Sequence, residues 1–122
     1  MLIGLDLQSV KEIKSKPALL KSGVVFSDKE LEYCAHKAVP SESIAGIFSG
    51  KEAFIKAVSK IKDIPLYCFT DIEIRHDLNG RPYVSLNNEI RDYFEKNHLS
   101  VDLSVSHTDG VAGSTVLIFK TL

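Results

Sequence analysis

The chain has 122 residues, 15 Lys plus Arg against 16 Asp plus Glu, a formal charge of −1, and 44% hydrophobic and 25% charged residues. That length suits one domain spanning 1–122, the ordinary apolar fraction and near-zero net charge argue against disorder, and there is no basic excess to grip the phosphates of a nucleic acid. No window of about twenty residues lacks charge, so no membrane span is expected, and the opening Met1-Leu2-Ile3-Gly4-Leu5-Asp6 lacks the basic start of a secretory signal, so a cytoplasmic protein is expected.

Residues 2–10 alternate loosely and read as a short strand. Residues 11–22 carry Lys11, Lys14, Lys16 and Lys21 against Glu12 alone, a local charge of +3, and Pro17 interrupts any helix there. Ser27-Asp28-Lys29-Glu30 has capping-box spacing. It predicts a helix through about Lys37 with Leu31, Cys34 and Ala35 facing inward. A main helix is expected over 41–62. At about 100° per residue, its Ile44, Ile47, Phe48, Phe54, Ile55, Val58 and Ile61 fall within about 140° of arc. Lys51 lies inside that arc, Glu52 and Lys56 flank it, and Pro65 closes the segment.

Asp71 to Arg75 alternates with period two and reads as a strand. Asp77-Leu78-Asn79-Gly80 reads as a turn, and Arg81 to Leu86 as a returning strand whose Pro82 belongs at an edge. A helix at 88–97 with Ile90, Tyr93 and Phe94 on one face follows. Then come a strand with Val101, Leu103 and Val105 on one side, a tight turn at His107-Thr108-Asp109-Gly110, and a final strand from Val111 to Phe119. The expected class is α+β, an antiparallel sheet packed against a long helix and shorter helices. Cys34 and Cys68 have no C-x-x-C spacing and no His at ligand distance. They read as two buried thiols in a reducing cytosol.

Four features exceed what a plain core needs. Asp6 interrupts an apolar strand; it either faces solvent or serves as a ligand for a hard cation such as Mg²⁺. Glu52 and Lys56 stand at i, i+4, the spacing of a surface ion pair. Glu52 is alternatively a second Mg²⁺ ligand, with Lys51 and Lys56 reaching phosphate oxygens. Lys51, within the apolar stripe, needs a partner when buried, either a bound phosphate or an acid from the first strand. Ser104-Val105-Ser106-His107-Thr108 gathers three hydroxyls and an imidazole at a strand end, either as surface residues or as a phosphate site. Asn79-Gly80-Arg81-Pro82 is first a turn, although Gly80 admits close backbone approach and Arg81 suits a phosphate. No nucleophile elbow, phosphate-binding loop or dinucleotide fingerprint is present. Two acids with lysines fit metal-assisted phosphoryl transfer.

At these residues the sequence resembles the phosphopantetheinyl transferases, most closely their short, single-domain type. Gly4-Leu5-Asp6-Leu7 resembles the family's G-I-D-I opening. Residues 40–57, from Pro40-Ser41-Glu42-Ser43 through Lys51-Glu52-Ala53-Phe54-Ile55-Lys56-Ala57, resemble its central signature, Asn79-Gly80-Arg81-Pro82 its n-G-k-P turn, and Ser104 to Thr108 its S-l-S-H-t segment. The resemblance implies the phosphopantetheinyl transferase fold and Mg²⁺-dependent transfer of 4′-phosphopantetheine from coenzyme A to a serine of an apo acyl carrier protein. The co-product is 3′,5′-ADP, and the setting is fatty acid biosynthesis. It implies Asp6 and Glu52 as metal ligands and, with Lys56, as the catalytic group. It places the donor on Lys51, Lys56, Gly80, Arg81, Pro82, Ser106, His107 and Thr108. It also implies a homotrimer with the site between subunits, and carrier docking near Lys11 and Lys14.

This chain departs from the family pattern at Glu12 and Ile47, where the family has Arg, and at Ser49-Gly50, where it has Ala-Ala. Gln8 is not the third acid of the larger family type. The alternative is a non-catalytic module of the same fold that binds coenzyme A or the carrier protein.

Overall fold

A computed structural model describes residues 1–121. In chain order it holds β1 (Leu2–Ser9), α1 (Val10–Lys14), α2 (Asp28–Ala35), α3 (Pro40–Val58), β2 (Ile72–His76), β3 (Pro82–Leu86), α4 (Asn88–Lys96), β4 (Leu99–Thr108) and β5 (Val111–Lys120), with short 3₁₀ turns at Pro17–Leu20 and Phe69–Asp71. The class is α+β as expected. The strands form two antiparallel sheets rather than one, a three-stranded sheet in the order β1-β5-β4 and a separate β2-β3 hairpin.

Local chemistry accounts for most element boundaries. The Ser27 hydroxyl accepts from the Glu30 amide at 3.2 Å, and the Glu30 carboxylate accepts from the Ser27 amide at 2.9 Å, closing the capping box of α2. Pro40 opens α3, where its missing N–H costs nothing. Asp109 (φ 45°) and Gly110 (φ 74°) both take positive φ, the two-residue hairpin geometry that matches strand twist. The β4–β5 turn is therefore shorter than the sequence suggests, and His107 and Thr108 belong to β4.

Two boundaries and one buried face differ from expectation. Val10 starts a helix instead of ending a strand, because the Ser9 hydroxyl accepts from the Glu12 amide at 3.2 Å and caps α1, which ends before Pro17. Second, α3 stops at Val58, four residues early: the Ile61 amide turns back to the Val58 carbonyl at 2.9 Å, ahead of Pro65. On α2 the buried face is Glu30 and Cys34, and Ala35 is exposed.

The core gathers around α3. Ile47, Phe54 and Val58 pack with Ile72, Ile74, Ile90, Phe94, Val116 and Ile118. On the β1 side α3 shows Ala53 and Ala57, and β1 meets them with Gly4. A Cβ built on Gly4 would stand 1.9 Å from the Ala53 carbonyl oxygen, so strand and helix touch backbone to backbone.

Lys51 corrects an expectation. It is fully buried, with Nζ 2.7 Å from Glu30 Oε1. It donates to the carbonyls of Val25 at 2.7 Å and Phe69 at 2.9 Å. The second Glu30 oxygen accepts from the Ile74 amide at 2.7 Å. Burial holds the lysine pKa below its ordinary value, against the attraction of Glu30. All three ammonium hydrogens are engaged inside the protein, so Lys51 has none for a donor phosphate. Its partner comes from α2, not from β1.

The cysteines divide. Cys34 is buried, and desolvation, reinforced by Glu30, pushes its thiol up to about 12. Cys68 is exposed, contrary to expectation, because it stands in the turn before Phe69, outside the core, with Sγ 3.3 Å from Asp71 Oδ2.

Lys51→Ala strands a buried carboxylate, and by urea unfolding it should cost about 3–5 kcal/mol, where a surface lysine costs about 0.5 kcal/mol or less.

Candidate functional site

The contact at Gly4 decides what stands beside α3. Side chains alternate along β1, so Asp6 shares the face of Gly4 and looks toward the helix. On the helix, Glu52 precedes Ala53 by one residue and Lys56 lies one turn beyond Glu52. Lys56 Nζ is 3.0 Å from Asp6 Oδ1 and 3.2 Å from the Leu5 carbonyl oxygen. The Asp6 side chain is 13% exposed and the Lys56 side chain 55%. Lys56 thus pairs across to the strand and not with Glu52, although Glu52 stands at the i, i−4 position on its own helix.

Glu52 is partly buried, and no salt bridge joins it to another described residue, since Lys56 is taken by Asp6. Burial raises its pKa, the Asp6 charge raises it further, and Lys56 pulls it down. Two carboxylates therefore share one electrostatic field with a single ammonium between them. Among the described residues no cluster of three or more His, Cys, Asp or Glu could hold a metal ion. Two carboxylates remain, the donor set with which Mg²⁺ binds when waters and phosphate oxygens complete its shell. Tyr67 also belongs here: its ring meets Phe54 edge-on at 6.3 Å, and burial and the Glu52 charge raise its pKa. It lies in a loop without periodicity, so no sequence signal pointed to it.

A second group of residues lines a cleft of about 170 Å³ between α3, the β2–β3 turn and the end of β4. Gly80 and Pro82 contribute one wall and His107 the other. His107 Nε2 stands 2.9 Å from the Glu42 carbonyl. Gly46 leaves room for that ring, since a Cβ there would lie 2.9 Å from Nε2. Tyr33 and His76, which the sequence reading did not single out, stack at the same cleft with centroids 3.8 Å apart and planes 5° from parallel. Lys37 Nζ lies 4.6 Å over the Tyr33 ring. Burial and the Lys37 charge lower the His76 pKa.

Not every expected residue joins this cleft. Arg81 is exposed beside it, Ser106 is exposed on β4, and Thr108 lines a neighbouring hollow with Val10, Glu42 and Asp109. Asp6, Glu52 and Lys56 do not line it either. Asp6 and Val105 both pair with Ser114, so β5 lies between the strand bearing the acid and the strand bearing His107. Within one chain the two groups of residues are thus separate.

The lysine-rich segment lies at the same end. The Val10 amide bonds the Gly110 carbonyl at 2.8 Å, tying α1 to the β4–β5 turn. Lys11 and Lys14 line an open hollow there with Ser9 and Asp109. Glu12 pairs with Lys16 at 3.1 Å, which offsets its charge locally.

Known proteins share this sequence pattern and fold. The sequence pattern of the 4′-phosphopantetheinyl transferase superfamily matches residues 2–113. The chain is 40% identical to a holo-[acyl-carrier-protein] synthase of Caldicellulosiruptor saccharolyticus over 97% of its own length and 95% of that protein's. It is 34% identical to one of Syntrophus aciditrophicus, covering 93% and 88%. It superposes on the Chronobacterium ammoniagenes ACPS–CoA complex with a TM-score of 0.82 at 27% identity, covering 99% and 98%. On the Helicobacter pylori holo-[acyl-carrier-protein] synthase in complex with coenzyme A the TM-score is 0.77 at 30% identity, covering 97% and 100%. With the pattern matched nearly end to end and relatives of the same length, the chain belongs to the 4′-phosphopantetheinyl transferase superfamily, among its holo-[acyl-carrier-protein] synthases.

Proposed function

We propose that this protein, acting as one domain, transfers 4′-phosphopantetheine from coenzyme A to a serine of an apo acyl carrier protein and releases 3′,5′-ADP. The observation that carries the reading is the meeting of Asp6, Glu52 and Lys56, brought from β1 and α3 onto one face. Relatives of this length solved with coenzyme A support the choice of donor.

Asp6 and Glu52 would hold Mg²⁺, which when bound offsets charge on the donor's pyrophosphate. Lys56 adds a point charge to the same phosphates. The serine oxygen forms a bond to the phosphorus bearing pantetheine, the pyrophosphate P–O bond breaks, and the electron pair leaves on 3′,5′-ADP. The serine proton passes to a water ordered at the site. His107, with Gly80 and Pro82, would receive the nucleotide half of the donor, with Arg81, Ser106 and Thr108 at the rim.

Because the two half-sites are apart in one chain, we propose a homotrimer in which one subunit's acids face a neighbour's cleft. Ile3, Leu5 and Leu7 support it: they are 56%, 59% and 69% exposed on the outer face of β1, a continuous apolar stripe without cover. Lys11 and Lys14 would dock the acidic carrier. No helix among the described residues is long and apolar enough to cross a membrane. The proposed setting is cytoplasmic fatty acid biosynthesis, without nucleic acid.

The deciding assay mixes the protein with coenzyme A, Mg²⁺ and an apo carrier protein and weighs the carrier. A phosphopantetheine adduct is expected. Coenzyme A binding without an adduct on any of several carriers would instead mark a non-catalytic module. In the same assay Glu52→Gln should abolish Mg²⁺-dependent turnover with the circular dichroism spectrum unchanged; retained turnover would contradict the metal assignment. Lys11→Glu with Lys14→Glu should raise the KM for the carrier by about tenfold while coenzyme A affinity holds, since two docking charges reverse sign.

A further inference from the structure

Lys56 faces a choice that its sequence neighbours do not explain. Helix geometry offers it Glu52 at i−4, yet its ammonium crosses to β1 and takes Asp6 Oδ1 at 3.0 Å and the Leu5 carbonyl at 3.2 Å. Asp6 is itself largely covered, with 13% of its side chain exposed. Glu52 is left partly buried and unpaired among the described residues. The charge count at this point is two carboxylates against one ammonium. A lysine can neutralise one of them, whereas a divalent cation neutralises both. A cation on Asp6 and the Lys56 ammonium repel one another, so each weakens the other's hold on that carboxylate.

We propose that the Lys56 ammonium is the resident counter-ion of the two-carboxylate site, held on Asp6 and Leu5 until a divalent cation takes the aspartate, and thereby freed for the donor's phosphates. The inference rests on the reading of Asp6 and Glu52 as cation ligands and deepens it. Lys56 competes with the cation for the Asp6 carboxylate and serves phosphate only after displacement. It is thus a positioning residue before it is a phosphate contact. The tie holds the Asp6 carboxylate against α3.

The test titrates Mn²⁺ alone into the full chain, without coenzyme A, and reads free Mn²⁺ by electron paramagnetic resonance. Lys56→Met and Lys56→Gln, each checked by circular dichroism, should bind Mn²⁺ about tenfold more tightly than the natural protein, because a unit charge about 3 Å from a ligand oxygen has been removed. Lys56→Arg keeps the charge and should stay near the natural affinity. If the neutral variants bind Mn²⁺ equally or more weakly, the ammonium does not compete and the inference falls while the cation site stands. If neither the natural protein nor any variant binds Mn²⁺, the cation reading itself falls, and the inference with it.

Discussion

β1 and α3 meet at Gly4 without a side chain between them. A single methyl group there would overlap the Ala53 carbonyl. This constraint sets how deep the strand lies against the helix and which of its residues look inward. Asp6 follows two positions later on the same face and so arrives beside Glu52 and Lys56. A one-residue slip of β1 would turn Gly4 and Asp6 outward and carry Leu5 against the helix backbone. The fold cannot adopt that register without separating the two elements. A packing requirement and a chemical one are thus met by the same strand.

The opposite flank of α3 depends on a buried ion pair. Glu30 closes the capping box of α2, receives the Ile74 amide and holds Lys51. One carboxylate joins α2, α3 and the β2–β3 hairpin. Lys51 and Glu52 are consecutive, yet about 100° of helix rotation sends them to different environments. Lys51 enters the core with every hydrogen engaged. Glu52 faces the β1 side, where burial and Asp6 oppose its charge. A stable pair and an unbalanced pair of acids stand one residue apart.

The acid-bearing face and the His107 cleft lie apart in one chain, and the outer face of β1 carries an exposed apolar stripe. His107 of the cleft and Asp6 near Gly4 both stand on the three-stranded sheet, on strands separated by β5. The stacked Tyr33 and His76 add to the cleft from α2 and β2, two elements that the buried Glu30 carboxylate ties together.

Much was legible in the sequence because it is local. Ser27 and Glu30 cap a helix within one turn, Asp109-Gly110 turns a hairpin within two residues, and alternation along β4 needs no partner to be seen. Family motifs likewise named Asp6, Glu52 and Lys56 together. The partners of those residues were not legible. Lys51 meets Glu30 rather than a phosphate, Lys56 bypasses Glu52 for Asp6, and Cys68 emerges at the surface. By itself the sequence determined which residues form helices, strands and turns, through hydrogen bonds and periodicities a few residues long. Tertiary structure alone decided which charges neutralise which, because those contacts span 21 to 50 residues, and the Lys56–Asp6 pair depends further on the depth at which Gly4 lets β1 settle on α3.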